Sequence, residues 1–154
     1  MGEAVVAYVV DWRPCGSTDG TVALRQCLRL VEGNVWQFEC DLPGAESDPL
    51  EVQLAAWTLT TVARWPDRMP PATGTLKPGD PTVWEAFVTF APFALDGSVW
   101  THGDGHPVVS FSDQGTSIVV RLDSDQAQRL SDLVAPAQLV PAKEWDRRPR
   151  QDRA

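Results

Sequence analysis

The chain has 154 residues, 43% of them apolar and 22% charged, and a formal net charge of −8. Its length fits one domain that can bury about 70% of its unfolded surface without disulfides or metals. The acidity argues against nucleic acid and anionic membranes as partners and suits solubility or a basic partner. The charge is uneven. Residues 143–154 carry five cations against three anions, net +2, which leaves −10 on the rest.

No apolar run approaches the ~20 residues of a membrane-spanning helix. The start, Met1 to Val6, has no basic segment of the kind that opens a signal peptide, so a cytoplasmic protein is expected. Cys15, Cys27 and Cys40 are odd in number and form no Cys-x-x-Cys pair, so reduced thiols are expected. Arg outnumbers Lys eleven to two, a bias expected of a high-GC bacterial genome.

Ala4 to Trp12 is apolar on both faces of a pleat and predicts a buried strand. Arg13 to Gly20 is turn chemistry. Thr21 to Leu42 reads as a hairpin about Glu32-Gly33-Asn34. That register pairs Leu30 with Trp36 and Leu28 with Phe38 and keeps Arg25 and Arg29 on the polar face. A two-residue loop would instead set Cys27 opposite Cys40. A helix over 21–31 is the rival, because Leu24, Cys27, Leu28 and Val31 also share a helical face.

Asp48-Pro49-Leu50-Glu51 looks like a helix start, with Asp48 as the cap. Val52, Ala55, Ala56, Leu59, Val62 and Ala63 follow at helical spacing, although Thr58 to Val62 favours a strand locally. Residues 69–81 read as a Pro- and Gly-rich loop. Thr82 to Ala91, with Trp84, Phe87 and Phe90, reads as an aromatic strand, and Val99 to Thr101 as a short one. Val108–Ser112 and Ser117–Leu122 flank a turn and predict a hairpin. Asp123 to Gln126 opens a helix whose Ala127, Leu130, Leu133 and Val134 face inward. From Lys143 onward the charge and prolines predict a frayed tail. Together these elements predict one α+β domain over residues 1–142. In it an antiparallel sheet of about six strands is packed by one or two helices, the last of them near the C-terminus.

Chemical motifs are sparse. His102, Asp104 and His106 alternate, so an extended segment would put all three on one face, where a divalent zinc or iron ion could be held. Gly103, Gly105 and Pro107 point instead to a bend, and no metal is expected. The same histidines could serve as a general base for Cys15, the one thiol placed in a loop. Glu85 is the one carboxylate headed for an apolar surround, where a raised pKa or an outward-facing position are the two outcomes. No nucleophile elbow, phosphate-cradling loop or dinucleotide fingerprint occurs, so no cofactor is expected.

Most of Trp12, Trp36, Trp57, Trp65, Trp84 and Trp100 are expected in the core. The leading reading is a non-enzymatic cytoplasmic interaction protein whose acidic body meets another protein, an immunity or antitoxin-like role being one example. The alternatives are a small enzyme or metal-binding protein centred on His102, Asp104 and His106, and a β-rich carrier of an apolar ligand among the tryptophans.

Overall fold

A computed structural model describes residues 2–15, 20–102 and 105–153. The strands are β1 (Val6–Asp11), β2 (Gln37–Cys40), β3 (Asp96–Trp100), β4 (Val109–Ser112), β5 (Ser117–Leu122) and β6 (Gln138–Pro141). The helices are α1 (Gly20–Val31), α2 (Leu50–Val62), α3 (Pro81–Phe90), α4 (Ser124–Val134) and α5 (Ala142–Arg147). All six strands join one antiparallel sheet in the order β2-β3-β4-β5-β1-β6, so the domain is α+β. No helix among the described residues is long and apolar enough to cross a membrane.

Register divides the sheet into two chemically distinct faces. Phe38 pairs with Val99, Val99 with Val109, Phe111 with Ile118, and Tyr8 with Val120, giving one apolar face. α1, α3 and α4 cover that face. Phe87 of α3 stands 4.7 Å from Phe38 and 6.0 Å from Phe111, ring centre to ring centre. The other face carries Gln37, Glu39, Ser98, Ser110 and Arg121, the alternation expected of a sheet with one wetter side. α5 packs against β1 and β6.

The predicted hairpin over 108–122 and the helix at 124 are present. Asp123 caps α4 in a reciprocal box with Gln126, each side chain accepting the other's backbone N–H. The helix over 50–62 is present too. Its threonines are tolerated because Thr58, Thr60 and Thr61 turn their hydroxyls onto the carbonyl oxygens of Leu54, Ala56 and Thr58. Asp48 makes no cap there; Pro49 holds the capping position.

Two expected strands are helices. Residues 20–31 form α1, which buries Ala23, Leu24, Cys27, Leu28 and Val31, and Glu32 to Asn34 are a 3-10 turn rather than a hairpin loop. The helical rival was therefore correct: Arg25, Gln26 and Arg29 leave the buried stripe at helical spacing. Residues 81–90 form α3, not an aromatic strand. Trp84, Phe87, Val88 and Ala91 recur at i, i+3, i+4 and i+7, and Asp80 accepts the Thr82 N–H at 2.9 Å ahead of Pro81. β6 was not anticipated. The last twelve residues, read from composition as a frayed tail, are described through Arg153 as α5 and a 3-10 turn at Arg150–Asp152.

Tryptophan placement also departs from expectation. Among the described residues only Trp84 is buried; Trp36, Trp57 and Trp65 are exposed and the others lie between.

Candidate protein interface

His102 and His106 are exposed and share a cavity of about 390 Å³ with Arg121 and Asp123. Asp104 lies outside the described residues. Asp123 is the only carboxylate among that cavity's described walls, and its Oδ1 already accepts the Gln126 N–H at 2.8 Å as a helix cap. Cys15 is not among the walls; it ends the 3-10 turn Arg13–Cys15 and is half-buried. Among the described residues no three His, Cys, Asp or Glu side chains gather as a metal cluster would require.

Cys27 and Cys40 are buried and free. Burial pushes the Cys27 thiol up to about 12 and raises Cys40 as well, so neither supplies a thiolate near neutral pH. Glu85 is exposed, and its two oxygens take Nη1 and Nη2 of Arg29 at 2.7 Å. Those bonds lower its pKa, so the outward-facing alternative is the one realised.

The surface that stands out is α2, which is apolar on two opposite sides. At about 100° per residue, Val52, Ala55 and Leu59 fall within one stripe and are buried, with Leu59 fully so. α3 packs against this helix. On the far side Leu50, Leu54 and Trp57 lie within about 40° of one line. Their exposures are 69%, 57% and 69%. A helix on the surface of a globular domain ordinarily turns a polar face outward. Here the threonine hydroxyls that could have supplied polarity are turned onto the helix's own backbone.

The sequence that leads into and through α2 is acidic. Between Leu30 and Ala63 the sequence holds Glu32, Glu39, Asp41, Glu46, Asp48 and Glu51 and not one Lys or Arg. Glu46 and Glu51 are exposed. Away from that helix, Glu39, Asp41 and Asp96 line a small cavity of about 190 Å³ together with Arg68. Burial raises the pKa of Asp41, against the pull of the Leu95 and Asp96 N–H groups that its Oδ1 accepts at 2.8 and 3.1 Å.

The outward stripe was visible in the sequence as Leu50, Leu54 and Trp57 at i, i+4 and i+7, the spacing of an anchor face. No family model, curated protein or solved structure matches the chain.

Proposed function

We propose that the protein is a non-enzymatic cytoplasmic interaction protein, and that it docks a partner segment bearing apolar and basic side chains on the outward face of α2. The observation that carries this reading is the pair of opposite apolar stripes on one helix. One stripe is spent on the core, and the other leaves two leucines and a tryptophan in water. Contiguous exposed apolar surface of this kind marks association sites, and tryptophan is the side chain most enriched among binding hot spots.

The acidic rim selects the partner's chemistry. Glu46, Asp48 and Glu51, none of them in an ion pair among the described residues, favour Lys and Arg at the edge of the contact and raise its association rate. The same charge disfavours a second copy of this chain, since each copy brings −8. The cytoplasmic setting is supported by three cysteines that are all free.

The test uses a short helical peptide of leucine and lysine and its counterpart with glutamate for lysine. Amide chemical shifts of the full chain are followed during titration. The lysine peptide should move the signals of Leu50, Leu54 and Trp57 in a saturable way, the glutamate peptide should not, and Leu54→Glu with Trp57→Glu should abolish the effect. Equal response to both peptides, response to neither, shifts centred on His102, or sedimentation as an α2-mediated dimer overturns the proposal.

A further inference from the structure

A second surface is built differently from α2 and stands independently of the reading above. On the sheet face opposite the main helical layer, Val9 of β1 and Val119 of β5 are register partners. Ala142 and Trp145 of α5, with Arg153 from the turn that follows, lie across them and enclose a cavity of about 560 Å³. Small-molecule sites fall in the range of about 300–1,000 Å³.

The cavity has a fixed apolar part. Val9 and Val119 line it together with the indoles of Trp12 and Trp145. Trp12 is anchored, because its Nε1 donates to the Thr116 carbonyl oxygen at 3.0 Å. Trp145 is anchored as well, with the guanidinium carbons of Arg13 and Arg148 at 5.0 and 5.2 Å from its ring centre. Both of those arginines are committed to Asp11, which with Arg13 also lines the cavity. Arg13 gives Nε and Nη2 to the two oxygens of Asp11 at 2.8 and 2.9 Å, and Arg148 Nη1 reaches Asp11 Oδ2 at 3.4 Å.

Arg153 is the exception. It lines the same cavity, its Nε is buried without an acceptor, and among the described residues it has no carboxylate partner. A desolvated guanidinium N–H is costly to leave unmet and is best answered by a planar anion. Three carboxylates also reach the cavity: Asp11 is answered by Arg13 and Arg148, and Asp113 and Asp146 are exposed, where water screens them.

We propose that this cavity binds a small organic acid, its flat apolar body against Val9 and Val119 beside the two indoles and its carboxylate on Arg153. Two tryptophans serve the ligand, rather than the six that composition alone would assemble around a carrier's cavity.

The probe is 2-naphthoate, compared with the uncharged 2-naphthylmethanol of similar shape. Binding to the full chain is read from the indole N–H signals of Trp12 and Trp145 and by calorimetry. Naphthoate should shift both signals saturably and bind at least about tenfold more tightly than the alcohol, as a charge-assisted contact requires. Arg153→Gln should erase that preference while leaving residual apolar binding, and Trp57→Glu should leave it intact. Should Arg153→Gln loosen the C-terminal turn, the wild-type preference between the two probes decides alone. No saturable shift, equal affinity for the two probes, or shifts confined to Trp36 and Trp57 would overturn the site.

Discussion

The Phe111 ring occupies the space that a side chain on Gly97 would need. The two residues are register partners on β4 and β3, and a Cβ built on Gly97 would overlap the ring and stand 3.0 Å from the Glu39 carbonyl oxygen. Phe111 is itself 2% exposed and has little room to retreat. Gly97→Ala is therefore expected to cost about 1–3 kcal/mol, the usual penalty of an overfilled core. Chemical denaturation measures it, and an unchanged midpoint would mean that the ring can move aside.

The two sides of α2 should respond oppositely to mutation. Leu59→Ala opens a cavity in the core and is expected to cost about 2–5 kcal/mol. Leu54→Glu and Trp57→Glu touch only the outward face, and each should change stability by less than about 0.5 kcal/mol. A large loss from either glutamate would show that the outward stripe already has a structural partner.

Thiol chemistry gives a third expectation. The native protein should react with a thiol reagent at Cys15 alone in mildly alkaline buffer, because burial keeps Cys27 and Cys40 protonated and out of reach. Denatured, non-reduced protein should return three thiols. The folded Cys27 holds its proton to about 12 while the unfolded thiol loses it near 9.0. Stability should fall as pH rises through that window, by up to about 1.4 kcal/mol per pH unit for each such thiol. A flat alkaline stability curve would contradict the burial.

Asp11 ties the C-terminal segment to β1. Its hydrogen bonds from Arg13 hold the carboxyl below the usual carboxylate range, against a smaller opposing effect of burial. A depressed carboxylate lends stability that is complete at neutral pH and fades as pH falls through the lowered value. Asp11→Asn is expected to cost about 1–2 kcal/mol at neutral pH, less than a fully buried pair because Arg13 is partly exposed. It should also flatten the acid limb of the stability curve. Removing residues 143–154, with Trp145 and Arg148, should lower the melting midpoint by several degrees; an unchanged midpoint would favour the frayed tail that composition alone predicts.

Where the sequence misled, it did so through composition outweighing period. Trp84, Phe87 and Phe90 suggest a strand because aromatics favour strands, yet Trp84, Phe87, Val88 and Ala91 keep a helical step and Asp80-Pro81 announces the start. In residues 21–31 a cross-strand match of Leu28 with Phe38 competed with an equally good helical face, and only the layer of helices over the sheet decides between them. β6 is four residues of an edge strand ending in Pro141, too short for any pattern to register. By contrast β1, the 109–122 hairpin and the capped α4 were legible, because alternation, turn chemistry and capping residues all agreed there. The outward stripe of α2 was legible in its spacing but not in its exposure, which depends on what the rest of the chain leaves uncovered.

The strand order has a consequence for how the chain is made. β1 comes first in the sequence, yet its neighbours in the sheet are β5 and β6, which begin at Ser117 and Gln138. At a synthesis rate of about 5–20 residues per second, roughly 5–20 seconds pass between the emergence of β1 and that of its first pairing strand. Throughout that interval Val9, Val10 and Trp12 have no sheet to join. The nascent chain therefore carries an apolar strand with two unpaired edges, and the contacts that close the sheet are among the most distant in sequence that it makes. Folding of the β1 side is timed by the synthesis of β5 and β6 rather than by that of β1 itself.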